Sequence, residues 1–130
     1  MSERVKGTNA MIAGMNPVMM AGEFAFVAWP ADTPWPDGTI ASHAEPEGLS
    51  LIVPMAAAPA QVVPMRCITL QVNSSLEGVG LTAAVSTALA HANIPANVVA
   101  AYHHDHVYVP ADMADRALTI LTDLQKDSAQ

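Results

Sequence analysis

The chain has 130 residues and a formal net charge of −7, from five Lys+Arg against twelve Asp+Glu, and it is 52% apolar but only 13% charged. That length suits one domain, or two very small units sharing a core, while a charged share well below the roughly one quarter usual for soluble domains leaves a surface suited to cover by a second subunit. The basic residues Arg4, Lys6, Arg66, Arg116 and Lys126 are scattered, so neither nucleic acid nor an anionic membrane finds the clustered cations it needs.

Thr8 to Met15 reads as a short helix, with Thr8 as its cap and Asn16-Pro17 ending it. Arg4 and Lys6 before Met11-Ile12-Ala13 hint at a secretory leader, but Asn9, Asn16 and Pro17 interrupt the apolar stretch. Glu23 to Trp29 is apolar and aromatic enough for a strand. Trp29 to Gly38 is a turn-rich loop. Gly48 to Val53 makes a second strand, and Ala56 to Val63 has room for one helical turn at most. Leu49 to Met65 is apolar, but Pro54, Pro59 and Pro64 bar a membrane span.

From residue 66 the pattern sharpens. Arg66 to Val72 alternates, with Ile68, Leu70 and Val72 on one face and Cys67, Thr69 and Gln71 on the other. Cys67 is the single cysteine, so no intramolecular disulfide forms; this suits a reducing compartment, and a cytoplasmic location is expected. Ser74 and Glu77 have capping-box spacing. Leu81, Val85, Leu89 and Ala92 then recur at helical spacing. Asn97 to Tyr102 predicts a strand, His103-His104-Asp105 a tight turn, and His106 to Val109 the returning arm. Pro110 and Asp112 suit the start of a last helix, whose apolar stripe is Met113, Ala117, Leu121 and Leu124.

The second half therefore reads β-α-β-β-α. This is one strand short of the ferredoxin-like βαββαβ unit, an α+β fold with helices on one face of an antiparallel sheet. The first half reads α-β-β. The two are expected to share one sheet, each completing the other.

Val72 to Pro110 (VNSSLEGVGLTAAVSTALAHANIPANVVAAYHHDHVYVP) resembles ACT domains, through the strand, Gly78-Val79-Gly80, the small Ala83 and Ala84, then Leu89, Ala92, Ile94 and Asn97-Val98. Gly14 to Phe26 and Glu45 to Leu51 are similar to the first module of small tandem ACT-like bacterial proteins. The resemblance implies an N-terminal ACT-like half over 1–63 and a C-terminal ACT domain over 64–130. It also implies a regulatory, non-catalytic module that binds an amino acid or similar small ligand, usually between paired modules, and hence a homo-oligomer, a dimer being expected.

The loop from Ser74 to Leu81 is the candidate ligand site: Ser74, Ser75, Leu76, Glu77, Gly78, Val79, Gly80 and Leu81. The first amides of a helix lack internal partners and carry partial positive charge, which suits a carboxylate. Gly78 and Gly80 let a ligand approach the backbone. Ser74, Ser75 and Thr82 offer hydroxyls, and Glu77 could accept from an α-ammonium group. The plain alternative is that Ser74 and Glu77 only cap the helix, which would leave a ligand-free scaffold or protein-interaction module. Asn97 and Val98 open the next strand, an edge that in an ACT pair faces the neighbouring module's ligand loop.

His103, His104, Asp105 and His106 have the chemistry of metal ligands. An extended hairpin would, however, put His104 and His106 on one face and His103 and Asp105 on the other, two per side where zinc takes three or four. A polar hairpin tip is the plainer reading. No nucleophile elbow and no phosphate-binding glycine loop occurs, so neither a catalytic residue nor a cofactor is assigned.

Overall fold

The computed structural model describes residues 7–73 and 76–128. In chain order the elements are α1 (Thr8–Ala13), β1 (Pro17–Met19), β2 (Phe24–Trp29), β3 (Ala41–Glu45), β4 (Gly48–Pro54), a 3-10 turn (Met55–Ala57), β5 (Met65–Leu70), α2 (Leu81–His91), β6 (Asn97–Ala100), β7 (Asp105–Pro110), a second 3-10 turn (Ala111–Met113) and α3 (Ala114–Ser128).

The seven strands form one antiparallel sheet in the order β3-β4-β2-β5-β7-β6, with β1 also on β5. The halves thus share a sheet, as the incomplete patterns required. The strand missing from the second half is β1, which comes from the first: Pro17 to Met19 lie opposite Leu70 to Ile68.

The junction explains the curl of the sheet. Past β1 the Met20 amide still reaches the Cys67 carbonyl at 2.9 Å. The chain then leaves β5, with Gly22 at φ +90°, a left-handed conformation that costs glycine little. Arg66 Nη2 donates to the Met20 carbonyl at 3.0 Å and ties down the corner. Thereafter β2 meets β5 at the single pair Phe24–Met65 and runs its whole length along β4.

All three helices cover one face. Ile68 and Leu70 of β5 and Val107 and Val109 of β7 pack beneath Met11, Val85, Leu89 and Leu121. Burying a side chain of this size contributes about 1.5–3 kcal/mol. On the same side of the first half, Ala25, Val27, Leu51 and Val53 are covered by Met55, Ala58 and Val62. The opposite face carries its own cluster of Ile52, Cys67 and Tyr108, flanked by Phe24, Ala41 and Val99.

Several local expectations are corrected. Thr8 does not cap α1; Gly7 does, without a side-chain bond, and the helix stops at Ala13. Thr8 instead donates to the Val79 carbonyl, in the loop before α2. Pro110 ends β7 and precedes the 3-10 turn, so the last helix begins at Ala114. β6 stops at Ala100, because the Ala101 amide turns back to the His104 carbonyl at 3.0 Å.

Candidate functional site

The backbone around Gly80 positions the loop. Gly80 is the N-cap of α2, at φ +104° and ψ −17°. It has no side chain, so the cap residue offers the first-turn amides no side-chain acceptor. A Cβ at Gly80 would fall 2.7 Å from Thr8 Cγ2, so only glycine lets α1 and the loop meet this closely.

A cavity of about 150 Å³ opens at this helix end, bordered by Leu76, Gly78, Gly80, Leu81, Thr82 and, from outside the loop, Met11, Ala100 and Asp105. Four of the candidate loop residues thus meet there. Leu76, which borders the cavity, and Val79, which shares its loop, are 63% and 76% exposed and give the loop an apolar rim. Glu77 is exposed and has an interaction of its own. Ser74 and Ser75 lie outside the described residues.

Asp105 is the acidic group of this cavity, and it comes from the histidine-rich turn. It opens β7 opposite Leu70 and Ala100, and so shares the helix-covered face with Val107 and Val109. Only 8% of it is exposed. Burial pushes its carboxyl above the usual range, while neighbouring His106 and His104 pull it the other way.

The strand register separates Asn97 from Val98. Val98 packs against the helix-side core. Asn97 is exposed and pairs with Tyr108, on the opposite face. Ala100, two residues beyond Val98, is what the strand contributes to the cavity.

The histidines also diverge. His104 Nδ1 lies 3.3 Å from the Val72 carbonyl. His106 Nδ1 lies 2.9 Å from Thr69 Oγ1 on the face away from the helices. Burial and the nearby His104 push His106 below its usual range, with Asp105 opposing. His103 stacks edge-on to Tyr102 in the exposed turn. Among the described residues, no group of three His, Cys, Asp or Glu is arranged to hold a metal ion. Nor is any helix among them long and apolar enough to cross a membrane.

Similarity to other proteins agrees with this architecture. A Vibrio cholerae protein of unknown function, described as a possible transport protein, has a crystal structure that superposes with a TM-score of 0.72 at 38% identity, covering 87% of this chain and 92% of that one. An Agobacterium tumefaciens protein shares the fold at a TM-score of 0.69 and 17% identity, covering 95% of this chain and 91% of its own. No functionally curated protein matches. Two different ACT domain models match in tandem, one over residues 5–68 and the other over residues 62–123. ACT domains are typically regulatory, and no catalytic family is indicated. With one such match on each half of the shared sheet, the chain belongs to the ACT domain family.

Proposed function

We propose that this chain is a non-catalytic regulatory module that binds an amino acid at the N-terminal end of α2. The observation carrying the reading is the joint placement of Gly78, Gly80, Leu81, Thr82 and Asp105 around one small cavity. The amides that open α2 suit the ligand carboxylate. Asp105 suits the α-ammonium group, the role the sequence suggested for Glu77. The cavity, about 150 Å³, is below the roughly 300 Å³ lower bound of drug-sized pockets. It holds an amino-acid head group, and the side chain projects past Leu76 and Val79.

That apolar rim supports a dimer in which a second copy closes the loop, as ACT modules generally pair. The ligand side chain is then read across the interface, in keeping with the small size of the cavity in one chain.

The test is a thermal-shift panel of all amino acids at millimolar concentration, run on the wild-type chain and on Asp105→Asn. Binding to the native state alone raises the melting temperature. A shift with one or a few amino acids that disappears in Asp105→Asn supports the reading. No shift with any amino acid, or an equal shift in the variant, defeats it.

A further inference from the structure

The face of the sheet away from the helices contains a cleft, on the other side of the β6–β7 ladder from the cavity at the end of α2. β3 and β6 stand at opposite ends of the strand order, yet Ala41 of β3 and Val99 of β6 together border two adjoining cavities. The curl set up at the Met20–Phe24 corner brings the two edges toward one another. The cavities measure about 580 Å³ and 410 Å³, within the roughly 300–1,000 Å³ of small-molecule sites.

The floor is apolar and aromatic. Tyr108 takes Phe24 and Phe26 edge-on, with ring centroids 6.2 Å and 5.3 Å away. Phe26 remains 42% exposed and Ile40 49%. The polar pair Thr69 Oγ1 with His106 Nδ1, at 2.9 Å, interrupts this lining in the smaller cavity, while Ser42, His43, Glu45 and Ser50 stand along the β3–β4 side of the larger one. The bond to Thr69 uses one ring nitrogen of His106. The second, Nε2, has no hydrogen-bond partner among the described residues, on a residue that borders the cavity. No Lys or Arg lines either cavity, and the one carboxylate, Glu45, accepts from the Ser50 hydroxyl at the outer end. A buried charge without a partner is costly, and no Asp, Glu, Lys or Arg lines the smaller cavity, where His106 lies, to pair with a strongly ionic ligand.

We propose that this cleft is a second binding site, for an uncharged molecule with an aromatic or branched aliphatic body and one carbonyl or hydroxyl group. The body lies against Phe26, Ile52 and Val99, and the polar group bonds His106 Nε2. The His tautomer adapts: the ring donates to a carbonyl when Thr69 donates to Nδ1, and accepts from a hydroxyl when Nδ1 donates to Thr69.

The probe is N-phenyl-1-naphthylamine, an uncharged aromatic amine that brightens in apolar sites, titrated against the full chain. Ala41→Phe and Val99→Trp fill the cleft from opposite edges, and circular dichroism identifies which variants fold. Saturable binding near one probe per chain is expected, weakened about tenfold or more in whichever filled variant folds. Binding that does not saturate, or that is as tight in a folded filled variant, overturns the proposal. So does a sedimentation result in which the wild-type chain is a dimer, excludes the probe, and becomes monomeric when the cleft is filled. A second copy would then own this face.

Discussion

Thr8, the first residue of α1, donates its hydroxyl to the carbonyl of Val79, 71 positions later, and so fixes the residue before the Gly80 cap. Its methyl group lies where a Cβ on Gly80 would stand, at 2.7 Å. The loop before α2, proposed above as the ligand loop, is therefore held by a helix from the first half. Gly80→Ala meets both this clash and the cost of a left-handed residue. It should lose about 1–3 kcal/mol of stability. Thr8→Ala removes the clashing atoms but also gives up the bond to Val79, so the double variant should lose less than the sum of the two single changes, a non-additivity that denaturant unfolding measures directly.

The two titrating neighbours that open β7, Asp105 and His106, oppose one another in pH dependence. Asp105 is raised in the folded state by burial, so there the folded chain holds its proton more tightly than the unfolded one. Its contribution to stability grows as pH falls through that raised value. His106 is lowered, chiefly by burial, so in its window the unfolded chain binds more protons. Stability from His106 is lost as pH falls through the ordinary histidine range and on through the lowered value. His106→Gln keeps a partner for Thr69 and does not titrate. It should flatten the loss of stability on acidification, whereas Asp105→Asn should steepen it. Urea midpoints across that pH range decide, and slopes unchanged from wild type would contradict both assignments.

Continuity of the sheet makes a statement about cooperativity. Leu121, on α3, and Leu51, on β4, are both fully buried but belong to different clusters. Truncating either to Ala should cost about 2–5 kcal/mol. Because β5 carries β1 and β7 and also meets β2, both variants should lower one shared transition. Two separate transitions, one per variant, would mean that the single Phe24–Met65 pairing couples β2, β3 and β4 to the rest of the sheet too weakly.

The second half was legible because its signals are strong and local. Ile68, Leu70, Val107 and Val109 repeat every second residue, and Leu81, Val85 and Leu89 repeat at helical spacing. β1 and β3 were not read. β1 has three residues, the first of them a proline, and its pairing comes from the edge that β5 offers. β3, Ala-Ser-His-Ala-Glu, is an exposed edge strand with no apolar alternation, defined by its register on β4.

The glycine loop before α2 was legible from composition, but its acidic counterpart was not. By residue type alone, Asp105 groups with its histidine neighbours as a polar turn. Carrying the alternation of Val109 and Val107 back by one more step places Asp105 on the same face, toward the helices. Which face each residue takes also separates Asn97 from Val98, a distinction that needs the pairing to Tyr108 and Val107. Tertiary register, not local propensity, carries that information.

The apolar rim of the loop gives the last expectation. Leu76 and Val79 are large, exposed and on either side of Gly78 in the loop, and such residues on a loop contribute little to the folded monomer. Leu76→Ser with Val79→Ser should therefore leave the melting temperature of a dilute monomer nearly unchanged, within about 0.5 kcal/mol of stability. If a second copy closes the ligand cavity, the same pair of changes should weaken self-association in sedimentation equilibrium and reduce the amino-acid thermal shift together. Retention of the shift with loss of the dimer would place the whole ligand site within one chain. Loss of neither would remove the rim from both roles, because truncating two central apolar contacts of an interface ordinarily costs more than 1 kcal/mol each when they are hot spots.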